Sequence, residues 1–198
     1  MADRPRPPRI YTGTGDAGTT GLLYGGRVRK DDPAIEANGA VDEAQAVIGL
    51  VRAEAERGSA LDELCVQLER GLYVLMAELA TAVDNRHKLT SGVTMVTAEM
   101  VADLERRADD LGAHYSMPSE FVIPGENRCA ALCDVARTVV RRAERLALAV
   151  AVEGSQVGPY LNRLSSVLWA MARWQEGGQS VPSRTATGRT VPRQPKEH

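Results

Sequence analysis

The stretch Cys133-Asp134-Val135-Ala136-Arg137-Thr138-Val139-Val140-Arg141-Arg142-Ala143-Glu144-Arg145 has charged residues at helical spacing. This spacing places four of them on one side of a helix: Arg137, Arg141, Glu144 and Arg145. The apolar residues between them form a separate stripe, and Arg137 and Glu144 border that stripe instead of standing opposite it. Guanidinium groups at such a border can reach into a cleft beside the core. A solvated face crossed by salt bridges is the other interpretation, and the stretch alone favours it.

Composition places the chain among single-domain globular proteins. It has 198 residues, of which 43% are hydrophobic and 25% are charged, and this length can hold one sizeable core. The net charge of −2 provides no general attraction for nucleic acid or an anionic membrane, so any anion site must be local. No apolar run approaches the roughly 20 residues that cross a bilayer, and residues 1–9 lack the apolar segment of a secretory signal. We therefore expect a cytoplasmic protein without a membrane or nucleic-acid partner.

The three cysteines, Cys65, Cys129 and Cys133, are too few and too unevenly spaced for a disulfide framework. Cys129 and Cys133 are four positions apart on a predicted helix, but no histidine lies nearby at the spacing of a zinc site. We expect buried, reduced thiols and no metal site built from protein side chains.

The segment from Ile10 to Gly21 contains four glycines and four threonines in twelve residues. Such a loop can present backbone N–H groups and hydroxyls to a phosphate. Its Gly13-x-Gly15-x-x-Gly18 pattern resembles a dinucleotide-binding fingerprint, but no strand of useful length precedes it and no apolar helix follows it. A Walker P-loop is also excluded, because no Gly-Lys-Ser/Thr ends the segment. A generic phosphate loop and a flexible turn remain as alternatives.

Apolar periodicity and capping residues predict five helices joined by short links. They run from Asp31-Asp32-Pro33 to about Glu56, from Ser59 to about Val83, from Thr97 to about Leu111, from Asn127 to about Gly154, and from about Gly158 to Gln175. With no strand alternation, these segments predict an all-α antiparallel bundle. We expect a bundle domain over residues 10–178, with residues 10–30 as its loop, between a mobile arm at 1–9 and a mobile tail at 179–198.

Five separated motifs, in this order, resemble those of the PduO-type ATP:cob(I)alamin adenosyltransferases. They are Ile10-Tyr11-Thr12 through Gly15-Asp16 and Gly18-Thr19-Thr20; Arg27 to Lys30; Val41-Asp42-Glu43; Phe121-Val122-Ile123-Pro124-Gly125; and Ala136-Arg137-Thr138 through Arg145 with Tyr160-Leu161-Asn162-Arg163-Leu164-Ser165. Each motif alone is weak, but the set covers about Arg9 to Gly178 and is hard to obtain by chance.

The resemblance implies a ferritin-like five-helix bundle that assembles as a homotrimer, with active sites between neighbouring subunits. The implied reaction transfers the 5′-deoxyadenosyl group of ATP, with Mg²⁺, to the cobalt of cob(I)alamin and releases triphosphate. A cobalamin reductase and an adenosylcobalamin-dependent mutase are the implied partners. A trimer that stores, delivers or senses ATP and cobalamin without turnover is the alternative function. Nucleic-acid binding through the arginine helix is a weaker one, opposed by the net charge and the scarce aromatic residues.

The resemblance also assigns roles to individual residues. It places ATP against a loop and a helical motif, through Thr12, Gly13, Thr14, Gly15, Thr20, Gly21, Lys30, Arg141, Arg142, Glu144, Arg145 and Asn162. It assigns Arg141, Phe121 and Asn162 to catalysis, with Phe121 facing the corrin ring and keeping the lower face of cobalt free of a ligand. It assigns Asp42 and Arg137 to a salt bridge between subunits. Without the resemblance, the sequence favours a core anchor for Phe121. A surface charge is the alternative for Asp42, and a helix cap is the alternative for Asn162.

The chain departs from the family pattern at several positions. Gly13 and Ala17 stand where the family usually or often has lysine, so the loop carries less positive charge. Glu126 places a carboxylate near the expected corrin side, and Asp134 replaces a histidine. The segment Ser165-Ser166-Val167 replaces Ser-Asp-Tyr. These departures leave ATP binding expected but bring corrinoid affinity and turnover into question.

Overall fold

A computed structural model describes residues 10–184. The expected arm at 1–9 and most of the expected tail, residues 185–198, lie outside the described residues. Within them, the chain forms five α-helices: α1 (Pro33–Glu54), α2 (Ala60–Leu79), α3 (Ala98–Gly112), α4 (Arg128–Leu148) and α5 (Val157–Glu176). The mostly helical fold predicted from the periodicity is confirmed.

Four of the helices begin at the residues that the sequence predicted as caps. The side chains of Asp32, Ser59, Thr97 and Asn127 each accept a hydrogen bond from a backbone N–H in the first turn of the helix that follows. These bonds satisfy donors that have no partner inside the helix. Helix α5 has no side-chain cap at its start. The residue after its last turn is Gly177, whose φ of 60° is left-handed and suits glycine.

The helices alternate in direction, and α4 lies at the centre of the arrangement. It packs against both α1 and α5, while α2 packs against α1 and α3 against α5. The buried stripe of α4 includes Ala136, Val140 and Ala143, which allow close approach to the neighbouring helices. Leu161, Leu164 and Leu168 of α5 are fully buried against them. One continuous core therefore runs the length of the bundle.

Two short antiparallel strand pairs were not predicted. Strand β1 (Thr19–Gly21) pairs with β2 (Arg27–Arg29), and β3 (Val122–Ile123) pairs with β4 (Val181–Pro182). The prediction that the chain has no strands is wrong at these places, because two or three residues are too few to show a period-2 pattern. Strand β4 also lies inside the segment expected to be a mobile tail, so at least residues 181–182 have a defined partner in the bundle.

Two helix ends differ from the prediction. Helix α2 ends at Leu79 rather than near Val83, and a 3-10 helix (Val83–Lys88) follows it. Helix α4 ends at Leu148 rather than near Gly154. Lys88 of this 3-10 helix donates to Asn85 Oδ1 at 2.8 Å and to the Tyr24 carbonyl at 3.5 Å. The 3-10 helix therefore fastens the β1–β2 hairpin to the end of α2.

Glu78 is a buried carboxylate that the sequence pattern did not reveal. Only 1% of it is exposed, and it accepts hydrogen bonds from Arg86, from the Val96 backbone N–H and from the Ser155 hydroxyl, each at 2.7 Å. A buried charge is tolerated when it is paired and hydrogen-bonded in this way. Glu78 thus joins α2 to the segments that precede α3 and α5.

No helix within residues 10–184 combines the length and apolarity needed to span a membrane. The cysteines are free thiols: Cys65 and Cys133 are buried, as predicted, and Cys129 is half-buried. Burial raises the pKa of Cys65 to about 12, whereas a hydrogen bond with Cys133 lowers the pKa of Cys129.

We predict that Cys129 is the thiol that reacts first in the native protein. Alkylating reagents attack the thiolate, and Cys129 combines the lowered pKa with partial exposure. Iodoacetamide at pH 8 followed by peptide mass spectrometry should find Cys129 modified before Cys65 and Cys133. Equal labelling of all three thiols in folded protein would contradict this packing.

We predict that Gly71→Ala destabilises the bundle by about 1–3 kcal/mol, the usual cost of overpacking a core. A Cβ at Gly71 would overlap the Tyr160 hydroxyl and stand 3.0 Å from its Cζ, and Tyr160 is only 3% exposed. Gly39→Ala is the matched control, because it is also helical and its Cβ would meet no atom within 4 Å. Urea unfolding measures both, and adding Tyr160→Phe should recover part of the Gly71→Ala loss.

Candidate functional site

The Thr/Gly loop is held in shape by the strand that follows it. The guanidinium of Arg27 donates to the carbonyl of Thr14 at 2.8 Å and to the hydroxyl of Thr19 at 2.9 Å. Backbone bonds from Asp16 N–H to the Gly13 carbonyl and from Gly18 N–H to the Gly15 carbonyl close two turns within it. These hydrogen bonds hold the loop in one shape, which favours the phosphate-loop interpretation over the flexible turn.

Lys30 lies against this loop. Its backbone N–H donates to the carbonyl of Gly18 at 2.9 Å, and a Cβ placed on Gly15 would stand 3.1 Å from the Lys30 ammonium. Glycine at this position therefore lets the lysine approach the loop backbone. The hydroxyls of Thr12 and Thr14 lie 2.9 Å apart and are exposed. The loop brings hydroxyls and one ammonium together on the surface, a combination that suits a phosphate chain.

The arginines in the row from Arg137 to Arg145 on α4 have different partners. Arg137 donates to Asp134 at 3.0 Å on the same helix, and Arg142 pairs with Glu43 of α1, which lowers the pKa of that carboxyl. Arg145 donates to the Arg141 carbonyl at 2.9 Å. In the described part of the chain, the Arg141 guanidinium has no acidic partner. Arg145 has no acidic partner there either, but its guanidinium is held by the Arg141 carbonyl. The Arg141 side chain makes no hydrogen bond among the described residues, so it is the arginine most available to an anion.

Arg141 and Arg137 line an open cleft between α4 and α5, whose other walls are Ser165, Ser166 and Trp169. The cleft holds about 240 Å³. The stretch alone favoured a solvated face for these arginines, and the structure instead places both of them at the wall of a cleft. Ser166 stands where the family pattern has Asp, so this wall carries two hydroxyls, those of Ser165 and Ser166.

Asn162 lies one turn into α5 and bonds across to α4. Its amide donates to Glu144 at 3.0 Å, and its side-chain oxygen accepts from Arg163 at 2.7 Å. Asn162 is not the cap of α5, since the N-cap position is Gln156. The pair joins two residues of the predicted ATP-binding set, Asn162 and Glu144, on facing helices.

Phe121 is 86% exposed, so the core-anchor interpretation is wrong. It lies in the link between α3 and α4, directly before β3. Glu126, in the turn between β3 and α4, is also exposed. An aromatic ring left in solvent at the end of a helical bundle is available to an apolar partner.

A single chain does not bring these groups to one place. The Thr/Gly loop lies at the end of the bundle where α1 begins and α4 ends, because the Leu23 N–H donates to the carbonyl of Ala80 at the end of α2. Phe121 lies at the opposite end, since its β3 strand pairs with the segment after α5. The 21 residues of α4 separate the two ends by about 30 Å.

The structure also places the predicted subunit-bridge residues. Asp42 is exposed in the middle of α1, so it is free to face another molecule. Arg137 is half-buried and turned toward Asp134 of its own helix. Asp134, a departure from the family pattern, is buried and also accepts from Arg173 at 2.7 Å. No sequence pattern indicated that Arg173 is buried, although it is only 2% exposed.

Comparison with known proteins is consistent with this arrangement of loop, arginine helix and exposed phenylalanine. The family model described as cobalamin adenosyltransferase matches residues 10–175. The chain belongs to the cobalamin adenosyltransferase family. A corrinoid adenosyltransferase of Citrobacter freundii is 39% identical over 171 residues, covering 85% of this chain and 95% of that protein. One from Bacillus subtilis strain 168 is 37% identical over 173 residues, covering 83% of this chain and 85% of that protein.

Solved members of the family share the fold. A variant of the PduO-type ATP:corrinoid adenosyltransferase from Lactobacillus reuteri, complexed with cobalamin and ATP, superposes with a TM-score of 0.79 at 26% identity and covers 92% of this chain and 100% of that chain. A second variant of that enzyme, complexed with ATP, gives a TM-score of 0.76 at 26% identity, covering 88% of this chain and 100% of that chain. The resemblance stated from the motifs is thus confirmed.

Proposed function

We propose that this protein is a corrinoid adenosyltransferase that transfers the 5′-deoxyadenosyl group of ATP to the cobalt of cob(I)alamin. The observation that carries the proposal is the family match over residues 10–175 together with relatives named corrinoid adenosyltransferase. The braced Thr/Gly loop with Lys30 and the unpaired Arg141 support it, because both suit a triphosphate.

The chemistry explains why the site needs no general base. The cobalt(I) electron pair attacks the 5′ carbon, a Co–C bond forms, the C5′–O bond breaks, and its electrons leave with the triphosphate. The protein must align cobalt with carbon, which can contribute roughly 7–11 kcal/mol, and stabilise the charge on the departing oxygen. Arg141 and Lys30 are the residues that we assign to the triphosphate. Asn162, held by Glu144, is assigned to the nucleoside.

Mg²⁺ is proposed to enter with ATP. Within the described residues, no group of three or more His, Cys, Asp or Glu side chains is placed to hold a metal ion. Phosphate oxygens and water are the ligands that Mg²⁺ prefers in such complexes, so the residues fit a cation that ATP carries. Lys30 and Arg141 would then neutralise further charge on the triphosphate.

We assign Phe121 to the corrin ring. An exposed apolar wall beneath the corrin would disfavour a lower axial ligand and make cob(II)alamin easier to reduce. Spacing supports the assignment of both Phe121 and Arg141. In the Lactobacillus reuteri structures, the substituted phenylalanine and the substituted arginine are twenty positions apart, as Phe121 and Arg141 are here.

The separation of these groups supports the proposal of a homotrimer with shared sites. The loop and Phe121 lie at opposite ends of one bundle, about 30 Å apart by the length of α4, so one reaction centre that uses both needs a second chain. Asp42, exposed on α1, is proposed to meet Arg137 of a neighbouring subunit. In the assembly, Arg137 would then have two carboxylates within reach, because Asp134 already accepts from it.

The remaining partners are proposals from the chemistry of substrate and product. A cytoplasmic cobalamin reductase would supply the reduced cobalt, and an adenosylcobalamin-dependent mutase would receive the product. Storage without turnover was motivated by Glu126 and Asp134. Asp134 gives it little support, since this carboxylate is buried and paired with Arg173.

The proposal is tested by anaerobic incubation with ATP, Mg²⁺ and chemically reduced cobalamin. We expect a light-sensitive Co–C product, seen in the visible spectrum as it forms and as it decays under illumination. Tight binding of cobalamin with no light-sensitive product would reject the enzyme and favour the storage module.

We predict that Lys30→Ala raises the KM for ATP about tenfold, the loss of one charged contact of about 1.4 kcal/mol. Arg29→Ala is the matched control, because it removes one positive charge from the same hairpin but a charge already paired with Asp31 at 2.6 Å. Steady-state kinetics with varied ATP measure both. Equal effects of the two substitutions would show that only the total charge of the hairpin matters.

Shared sites predict that two impaired subunits complement each other when activity is measured at an ATP concentration below the KM of the Lys30→Ala variant. When Lys30→Ala and Arg141→Ala chains are co-refolded in equal amounts, about a quarter of the sites should combine an intact loop with an intact Arg141 from its neighbour. Activity should therefore rise above that of either variant alone. No gain in confirmed mixed oligomers would place Lys30 and Arg141 of each site on the same chain.

A further inference from the structure

Phe121 is held by its backbone and not by its side chain. Its ring is 86% exposed, whereas its carbonyl accepts a hydrogen bond of 2.7 Å from the Ser183 N–H. The next two residues continue this pairing, with Val122 opposite Pro182 and Ile123 opposite Val181. The direction of the ring is therefore set by the strand that follows α5.

That strand is itself tied to the core of the bundle. After α5, the Gln179 N–H donates to the Glu176 carbonyl at 3.2 Å, and the Ser180 hydroxyl donates to the Glu176 carboxylate. Glu176 is 4% exposed and accepts from Arg173 at 2.7 Å. Because Arg173 also bonds Asp134 of α4, the start of the strand is fixed to two helices.

The segment that carries Phe121 runs to Asn127, and that end of it is also fixed to the end of α5. The Asn127 side chain caps α4 through the Ala130 N–H at 2.9 Å, and its amide donates to the Gln175 carbonyl at 2.8 Å. Both ends of the link therefore bond to the last turn of α5 or to the strand after it. Only Pro124, Gly125 and Glu126 between them are left as an exposed turn.

We infer that Ser183 is a positioning residue for the corrinoid step, and that the β4 strand is the strap that aims Phe121. The inference rests on the proposed function, in which Phe121 faces the corrin ring. The acting group is the Ser183 backbone N–H, since it alone bonds the Phe121 carbonyl among the described contacts. Loss of this bond frees the backbone directly at the residue that must exclude the lower axial ligand.

Ser183→Pro in the full chain removes this N–H. Residue 182 already lies in an extended strand, which is the conformation that a following proline requires. Arg184→Pro is the matched control: it introduces the same ring one position later and keeps the Ser183 N–H, and the Arg184 N–H has no partner among the described hydrogen bonds. Both variants leave the core of the bundle unchanged.

Two readouts separate positioning from a general loss of structure. With ATP bound, the electron paramagnetic resonance spectrum of cob(II)alamin reports the lower axial base through its nitrogen splitting. We expect Ser183→Pro to retain that splitting where the parent protein loses it, and to lower kcat with cobalamin about tenfold, within the ~100-fold that a displacement of about 1 Å can cost. The KM for ATP should stay within about twofold of the parent value, because the loop is at the other end of the bundle.

The outcomes distinguish the strap from the proposed role of Phe121. Phe121→Ala is measured in parallel and should retain the nitrogen splitting and lose kcat at least as strongly. If Phe121→Ala does so while Ser183→Pro matches Arg184→Pro, the strap is rejected and the role of Phe121 stands. If Phe121→Ala leaves both readouts unchanged, the assignment of Phe121 itself fails. A rise in the KM for ATP in Ser183→Pro alone would also reject the strap, because it would show a global effect.

Discussion

Arg141→Ala should lower kcat for adenosyl transfer by about 10²–10³-fold, which is the usual cost of removing one donor that is aimed at developing charge. Arg141 lines the α4–α5 cleft, and its guanidinium has no carboxylate partner within residues 10–184. Its charge is therefore free to meet the triphosphate as the C5′–O bond breaks. An arginine already neutralised by a neighbour would contribute far less.

The fold should survive this substitution. The Arg141 side chain is exposed, and the bond from Arg145 reaches the Arg141 backbone carbonyl, which alanine retains. Circular dichroism and thermal unfolding of Arg141→Ala should match the parent protein while activity falls. Arg106→Ala is the control, since Arg106 is an exposed helical arginine paired with Asp103 on α3. Comparable loss of activity in both variants would remove Arg141 from the site.

Arg173→Ala should destabilise the bundle by about 3–5 kcal/mol, the usual cost of breaking a buried charge network by removing one partner. Arg173 is 2% exposed and bonds both Asp134 and Glu176 at 2.7 Å. Its guanidinium also lies 5.5 Å from the centre of the Trp169 ring. Without it, two buried carboxylates lose their shared partner and repel each other.

Denaturant unfolding measures this loss, and Arg163→Ala provides the comparison. Arg163 is also on α5 and also pairs with a glutamate, at 2.7 Å from Glu105, but both side chains are nearly half exposed. Exposed pairs of this kind contribute roughly 0–1 kcal/mol. If Arg173→Ala costs no more than Arg163→Ala, the buried network does not stabilise the fold as its geometry indicates.

The helices were predictable because their signals are local. Asp32, Ser59, Thr97 and Asn127 cap their helices as the sequence indicated. The strands were missed because they are very short, and one pair also depends on a distant partner. The β3–β4 pair joins residues about 60 positions apart, and its strands are too short to carry a pattern of their own.

The buried charges could not be predicted for a related reason. Glu78 and Arg173 look like ordinary helical surface residues in the sequence, and only their partners on other segments explain their burial. Propensity and periodicity describe a helix face, not the charge that meets it. Asp134 was noticed as a departure from the family, but its partner Arg173 was found only in the structure.

The site was partly predictable. The motifs indicated Lys30, Arg141 and Asn162, and the structure explains how Arg27 and Gly15 shape the loop around Lys30. The sequence could not tell which arginine of the α4 row stays unpaired, because that depends on Glu43 of α1 and on Asp134. The proposed second subunit was implied by the resemblance alone, and the separation of the loop from Phe121 along the bundle supports it.

The central claim is that the chain makes a Co–C bond at the expense of ATP. The most direct measurement is a single turnover under anaerobic conditions, with enzyme in excess over cob(I)alamin, in which adenosylcobalamin and inorganic triphosphate are both quantified. We predict about one triphosphate released for each adenosylcobalamin formed, since one C5′–O bond breaks for each Co–C bond made. The contradicting result is a parent protein that binds both ATP and cobalamin but forms neither adenosylcobalamin nor triphosphate.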